Sequence, residues 1–150
     1  MMNRAISATF LCVAMVVTGA PTADAQSYTR LSDSEFVVAG IGPGADSSLV
    51  RKLLGAPLHR TSATWQYNGI EVVFAKAEVD WVRVTSRRYS TRRGLRVGDD
   101  ATRITALYGQ TCGPPGDYTF CGPEDHRGLM VIVQHGKVIE LRIGPQIDHD

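Results

Sequence analysis

Hydrophobic residues recur at helical spacing in two short segments, and each segment is followed by runs that alternate like β-strands. The first helix is predicted to start at Asp46 or Ser47, because these short side chains can bond the free N–H groups of a first turn. It is predicted to end at Leu54, since Gly55 adopts a left-handed conformation easily and Pro57 cannot continue a helix. The residues expected to face inward are Leu49, Val50, Leu53 and Leu54.

The second helical segment has the same plan. Asp100 is predicted to cap it and Gly109 to end it, with Ala101, Ile104, Leu107 and Tyr108 facing inward. Helices of about nine residues are marginal alone in water, so each is expected to lie on a sheet.

Three strands are predicted after each helix. Asn68-Gly69 is a strong signal for a tight hairpin, and His135-Gly136 marks a tight turn in the second half. The predicted strands are Thr64 to Tyr67, Ile70 to Ala75, Glu78 to Thr85, Asp117 to Cys121, Leu129 to Gln134 and Lys137 to Ile143.

The sequence also repeats itself. A shift of 54 residues places Gly40-Ile41 on Gly94-Leu95, and a shift of 59 places Val82-Arg83-Val84 on Leu141-Arg142-Ile143. Two copies are fewer than a solenoid needs, so a tandem duplication is predicted. The predicted fold class is α+β: two tandem helix-plus-three-stranded antiparallel meander units, with the helices on one sheet face.

The N-terminus is predicted to be a signal peptide over residues 1–25. Arg4 precedes an apolar run from Ala5 to Val17, and Ala23-Asp24-Ala25 matches a cleavage site. The alternative is an N-terminal core helix. A lead-in segment (26–39), a first repeat (40–93), a second repeat (94–145) and a tail (146–150) follow. No membrane insertion is expected, and the predicted location is the periplasm or the outside of the cell.

Cleavage would leave two cysteines, Cys112 and Cys121. An even pair in an exported chain predicts a structural disulfide. A redox pair is the alternative, but reactive pairs are usually spaced C-x-x-C at a helix start.

The net charge does not indicate a class of partner, because 16 Lys and Arg residues against 15 Asp and Glu residues give a net charge of +1. Nucleic acid is therefore not an expected partner. Six arginines do cluster between the two copies: Arg83, Arg87, Arg88, Arg92, Arg93 and Arg96. They form either a solvated linker or a positive patch for an acidic partner protein or anionic polymer.

Catalytic and metal-binding patterns are weak. None of the four histidines has metal-ligand spacing, and a G-x-S-x-G elbow is missing, so no catalytic residue, metal or cofactor is predicted. Two acidic-histidine runs, Glu124-Asp125-His126 and Asp148-His149-Asp150, could hold a metal only weakly. Gly40-x-Gly42-x-Gly44 before the first helix is either a structural turn or an anion cradle.

Aromatic residues concentrate in the strands of the first copy. They are Trp65, Tyr67, Phe74 and Trp81, and they either fill the core under the first helix or lie on an open sheet face. The predicted partner site assumes that these aromatic residues lie on the open sheet face. It uses Trp65, Tyr67 and Trp81 as anchors, and Arg87, Arg88, Arg92 and Arg93 as a rim that attracts an acidic partner.

The repeated helix signature resembles that of a known superfamily. Its positions are Gly40, Gly44, Asp46, Val50, Leu53 and Gly55, with Gly94, Gly98, Asp100, Ile104, Leu107 and Gly109 in the second copy. Followed by a meander, this pattern resembles the BamE (SmpA/OmlA)-like domain, and its tandem resembles the beta-lactamase inhibitory protein superfamily. The resemblance implies export and the binding of other proteins without catalysis. Beta-lactamase inhibition itself is not carried over, because the hairpin tip Lys76-Ala77 lacks an aspartate.

The function predicted from the sequence is therefore an exported, non-enzymatic protein-binding module, such as an inhibitor or an immunity-type protein. Its partner is an unidentified protein, expected to be acidic. The alternatives are an envelope assembly scaffold and a small periplasmic hydrolase that uses His126 or His135.

Overall fold

The structure, a computed structural model, describes residues 32–122 and 127–145. The predicted signal peptide, the start of the lead-in segment, His126 and the C-terminal tail lie outside these residues. In chain order the elements are α1 (Ser47–Leu54), β1 (His59–Arg60), β2 (Thr64–Tyr67), β3 (Ile70–Ala75), β4 (Glu78–Val84), α2 (Thr102–Tyr108), β5 (Tyr118–Cys121), β6 (Arg127–Gln134) and β7 (Lys137–Pro145). A 3-10 turn at Asp33–Glu35 precedes them.

The first helix starts and ends where the sequence predicts. Asp46 is its N-cap, and one carboxylate oxygen accepts a hydrogen bond from the Leu49 N–H at 2.9 Å. Gly55 ends it with a φ of 81°. Only Val50 is buried on this helix, while Leu53 remains 46% exposed, so α1 covers the sheet less completely than its apolar stripe suggests.

The second helix is not capped by Asp100, contrary to the prediction. Its N-cap is Ala101, whose side chain cannot accept a hydrogen bond. Asp100 instead pairs with Lys137 Nζ at 3.0 Å, which fastens the start of the helix segment to β7. Ile104 and Tyr108 are buried as expected.

All seven strands belong to one antiparallel sheet, in the order β1-β2-β3-β4-β7-β6-β5. The predicted fold class of two tandem helix-plus-three-strand units is therefore wrong. The part of the chain that the structure describes is a sheet-dominated fold with two short helices, and the short strand β1 was not foreseen. A separate meander would expose a row of unpaired backbone groups at its edge, whereas β4 and β7 pair with each other and remove both edges.

The two sheet faces are distinct because successive side chains in a strand point to opposite sides. The face covered by the helices, here called the inner face, carries the core. One row across it contains Trp65, Val72, Val82, Ile143, Leu129 and Cys121. Val50 of α1 and Ile104 and Tyr108 of α2 pack into the same core.

Each half of the sheet contains one bulge at a matching position. Asp80 is the extra residue between Val79 and Trp81 on β4, and Ile139 is the extra residue between Val138 and Glu140 on β7. A bulge resets which face the following residues point to. Val79 and Val138 can therefore face the core, while Trp81 and Glu140 point to the opposite side.

The disulfide between Cys112 and Cys121 is confirmed. It holds the segment before β5 along the free edge of that strand. Gly113 N–H donates to the Phe120 carbonyl at 2.8 Å, and Gly122 N–H donates to the Thr111 carbonyl at 3.0 Å. The edge of β5 is thus partly paired by the cysteine loop itself.

Candidate functional site

The sheet face that points away from the two helices, here called the outer face, carries the most informative group of side chains. The strand registers place one row across it: Gln66, Glu71, Arg83, Arg142, Met130 and Phe120. Polar and charged residues occupy the β2 side of this row, and apolar residues occupy the β5 side. The outer face is therefore amphipathic along the direction that crosses the strands.

Arg83, Glu140 and Arg142 form an ion cluster at its centre. Arg83 Nη2 donates to Glu140 Oε2 at 2.8 Å, and Arg142 Nε donates to Glu140 Oε1. Glu140 is only 7% exposed, whereas the side chains of Arg83 and Arg142 are 41% and 28% exposed. The carboxylate therefore lies deeper than the two guanidiniums that bind it.

The neighbouring arginines and burial shift the pKa of Glu140 in opposite directions. Burial alone would raise the pKa of Glu140, but the hydrogen bonds from Arg83 and Arg142 outweigh burial and hold the pKa below its ordinary value. The hydrogen bond to Glu140 in turn raises the pKa of Arg83. Both partners thus stay charged near neutral pH.

One buried donor of this cluster, Arg83 Nε, has no hydrogen-bond partner among the described residues. A buried N–H without a partner costs free energy, so such groups are rare. The cluster therefore retains hydrogen-bonding capacity that Glu140 does not use.

Beside the ion cluster, a shallow groove lies between two aromatic rings. Its lining includes Trp81, Phe120, Gly128, Met130, Arg142, Gly144 and Pro145. A Cβ on Gly128 would lie 2.4 Å from Phe120 Cζ, and one on Gly144 would lie 2.5 Å from Trp81 Cβ. The two aromatic residues therefore pack against bare backbone, and any larger residue at either glycine would displace them. We call this feature the aromatic groove.

The structure does not bring the three predicted aromatic anchors together. Trp65 is 6% exposed in the core, where its ring lies 4.8 Å from that of Phe74. Tyr67 points to the same inner face, and its hydroxyl donates to the Gly55 carbonyl at 3.5 Å. Trp81 points to the outer face and is partly exposed. Of the three, Trp81 alone is placed on the open side of the sheet.

The arginine rim is divided as well. Arg92 Nη1 donates to the Ser34 carbonyl at 3.1 Å. Arg93 binds Glu35 at 3.0 Å and the Leu107 carbonyl at 2.7 Å, at the end of α2. These two arginines fasten the lead-in segment to the helix side and do not border the outer face.

Arg87 and Arg88 remain exposed in the turn after β4. The Arg88 guanidinium lies 6.0 Å from the centre of the Tyr89 ring, which is a loose cation–π contact. These two residues keep the exposure that the predicted rim requires.

The glycine run and the histidines, which the sequence analysis considered for anion and metal binding, do not form a ligand site in the described residues. Gly42 lies so close to the lead-in segment that a Cβ would be 2.7 Å from the Phe36 carbonyl oxygen. Gly44 N–H donates to Val79 at 2.7 Å, so the glycine run forms a packed turn. Within residues 32–122 and 127–145, no three His, Cys, Asp or Glu side chains are grouped to hold a metal ion. His59 and His135 are exposed, and the other two histidines lie outside the described residues.

Several outer-face residues were missed at the sequence level: Phe120, Met130, Glu140 and Arg142. A signal for one of them was present, because the shift of 59 residues that reveals the repeat aligns Arg83 with Arg142. Glu140 aligns with Trp81, and nothing in that pairing marks it as a partner of both arginines.

Comparisons with known proteins give a fold relationship. No family model matches the chain, and no curated protein matches its sequence. A solved structure that resembles it is an extracellular protein containing a SCP domain from Bacillus anthracis str. Ames, with a TM-score of 0.52 and 13% sequence identity. The likeness covers 81% of this chain and 49% of that protein, so this chain spans about half of its length. At this identity the likeness concerns the fold alone.

The disulfide bears on location. Disulfides form and persist in oxidising compartments, so the Cys112–Cys121 bond agrees with a secreted protein. Neither described helix is long and apolar enough to cross a membrane.

Proposed function

We propose that this chain is an exported, non-enzymatic module that binds a partner protein across the outer face of its sheet. Its place of action is the periplasm or the outside of the cell, and its role is that of an inhibitor or an immunity-type protein. The observation that carries the proposal is the aromatic groove, which lies next to two partly exposed arginines on the face opposite both helices.

The composition of this face supports protein binding. Tryptophan and arginine are enriched among the residues that contribute most to protein–protein affinity, especially where neighbours shield them from water. Trp81 and Arg142 both line the groove, and Phe120 and Met130 complete its apolar side. A partner that covers this shallow groove would desolvate the exposed parts of these side chains and gain the free energy of burying them.

The rigidity of the site also supports binding. The groove lies on four neighbouring strands of a continuous sheet, so its geometry does not depend on a flexible loop. A preformed surface loses little conformational entropy when a partner binds.

The decisive experiment starts with co-purification from the periplasmic fraction to identify a stoichiometric partner, followed by measurement of its affinity for purified variants. Trp81→Ala is expected to weaken binding by roughly thirtyfold, the equivalent of about 2 kcal/mol, mainly through faster dissociation. Leu49→Ala is the matched control, because Leu49 is an exposed apolar residue on α1, on the other side of the sheet. Equal affinities for wild type and Trp81→Ala would overturn the proposal.

The scaffold and hydrolase alternatives have their own readouts. Turnover of an envelope substrate that His126→Ala or His135→Ala abolishes would replace the binding function with an enzymatic one. A partner held as strongly by Trp81→Ala as by wild type would favour a scaffold that uses another surface.

A further inference from the structure

The ion cluster on the outer face contains more positively charged groups than negatively charged ones. Two guanidiniums share one carboxylate, and each donates one hydrogen bond to it. A guanidinium has several N–H donors in a planar fork that matches the two oxygens of a carboxylate. Further N–H groups therefore remain on both arginines, whose side chains are partly exposed. The unpartnered Nε of Arg83 is buried and is not one of the groups that a partner can reach.

From this arrangement we infer that Arg83 and Arg142 form a carboxylate-binding subsite for an acidic side chain of the partner protein. The inference rests on the proposed function, since it specifies which partner group binds at the centre of the outer face. Glu140 acts as a positioning residue beneath it: the carboxylate fixes both guanidiniums and leaves them partly exposed above.

Electrostatics favours a carboxylate at this point. The cluster of Arg83, Arg142 and Glu140 has one uncompensated positive charge. Glu71 lies opposite Arg83 on β3 and offsets part of this charge, but only at longer range, because among the described residues both arginines form their ion pairs with Glu140 and not with Glu71. A partner carboxylate would pair with the remaining charge and supply acceptors for the free N–H groups.

The neighbouring aromatic groove further restricts which kind of partner segment can bind here. Arg142 belongs both to the ion cluster and to the lining of the aromatic groove. A partner segment bound here would thus place an acidic side chain on the arginines and an apolar side chain next to it, lying over the shallow groove that Trp81 and Phe120 line. The expected recognition element is an acidic residue adjacent to an aromatic or aliphatic one.

The test uses the mature chain labelled with ¹⁵N-arginine, and it needs no identified partner. Acetate is the probe, with chloride at equal ionic strength as the reference and inorganic phosphate as the competing anion. Acetate is expected to shift the guanidinium N–H resonances of Arg83 and Arg142 saturably at concentrations up to the order of 100 mM, as a ligand with so few atoms binds weakly.

Substitutions assign the signals and control for folding. Arg83→Gln and Arg142→Gln should each abolish the saturable shift at the remaining arginine. Arg83→Lys keeps the charge and the pairing with Glu140 but lacks the planar fork, so it should weaken acetate binding at least severalfold. Arg51→Gln, an exposed arginine on α1, should leave the response unchanged.

Three outcomes would overturn the inference: no saturable shift with acetate, an equal shift at Arg51, or tighter binding of phosphate than of acetate. None of them would touch the Trp81→Ala result on partner binding, so failure of the subsite can be told apart from failure of the proposed function. Conversely, loss of partner affinity in Arg83→Lys together with the acetate shift would support both.

Discussion

Arg83 and Arg142 lie directly opposite each other on the neighbouring strands β4 and β7 in the interior of the sheet, although both carry a positive charge. A shift of the sequence by 59 residues also aligns Arg83 with Arg142. Like charges opposite each other across a strand pair are destabilising. Glu140 accepts a hydrogen bond from each of them and compensates the repulsion.

The first prediction concerns acid stability. The pKa of Glu140 is lowered in the folded state, so its contribution to stability is present above the ordinary carboxyl pKa of about 4.3 and is lost as the pH falls through the folded-state pKa. Urea unfolding of wild type and Glu140→Gln should therefore differ at pH 7 and converge towards pH 3. A constant difference over this range would contradict the assigned role of the carboxylate.

The second prediction concerns the tips of two equivalent hairpins. Lys76-Ala77 and His135-Gly136 both have positive φ angles, with 71° at Ala77 and 73° at Gly136. Glycine adopts this conformation without strain and alanine does not. Ala77→Gly should raise the unfolding free energy by about 0.5–1 kcal/mol, measured by urea denaturation.

Gly136→Ala is the matched reverse change. A Cβ there would meet no atom within 4 Å, so only backbone strain changes. It should lower the unfolding free energy by about 1 kcal/mol. The explanation fails if the two substitutions shift stability in the same direction.

The order of strands and helices could be read from the sequence because its signals are local. Asn68-Gly69 sets a hairpin between β2 and β3, and Asp46 with Gly55 bounds α1. The pairing of β4 with β7 depends on residues far apart in the chain, so no local sequence pattern predicts it. For that reason the predicted pair of separate units was wrong while most of their elements were placed correctly.

The site was harder to predict because it depends on register and on two bulges. Simple alternation along β4 cannot place both Val79 and Val82 in the core, and the extra residue Asp80 resolves the conflict while turning Trp81 outward. Trp65 faces the core because its strand pairs with β3 in the register Trp65–Val72. Which face an aromatic occupies is thus settled by strand pairing, which the sequence pattern alone left open.

The third prediction tests the floor of the aromatic groove. A Cβ on Gly128 would lie 2.4 Å from the Phe120 ring and 2.7 Å from the Cys121 carbonyl oxygen. The ring can shift, but the backbone oxygen is held by the sheet, so Gly128→Ala should destabilise the fold by about 1–3 kcal/mol. Gly116→Ala is the control, since its Cβ would lie 3.8 Å from the nearest atom, the Tyr118 carbonyl oxygen. Equal stability of the two variants would mean that Phe120 does not pack on Gly128.

The fourth prediction concerns the two exposed arginines after β4. Arg87 and Arg88 are proposed to attract an acidic partner before contact, which affects association more than dissociation. The double variant Arg87→Ala with Arg88→Ala should slow association on the order of threefold at low salt, and the difference should shrink near physiological salt because ions screen the charges. Stopped-flow mixing with the identified partner measures both rates. Salt-independent slowing would point to a direct contact in place of steering.

The fifth prediction follows from the position of β5 at one end of the sheet. An edge strand presents unpaired N–H and C=O groups that can pair with another molecule. Here the cysteine loop covers part of that edge through the bonds of Gly113 to Phe120 and of Gly122 to Thr111. The Cys112–Cys121 disulfide holds the loop in place.

Replacing both cysteines, Cys112→Ala with Cys121→Ala, should therefore have two effects. The unfolding free energy should fall by roughly 2–3 kcal/mol, the contribution expected for a short loop. The freed edge should also let β5 of one molecule pair with β5 of another. The sedimentation coefficient of the variant should therefore rise with protein concentration, whereas that of the oxidised wild type should not depend on concentration. Reduction of the wild-type disulfide should reproduce both effects without any substitution. If the cysteine variant is less stable but its sedimentation stays independent of concentration, the disulfide stabilises the loop without protecting the edge.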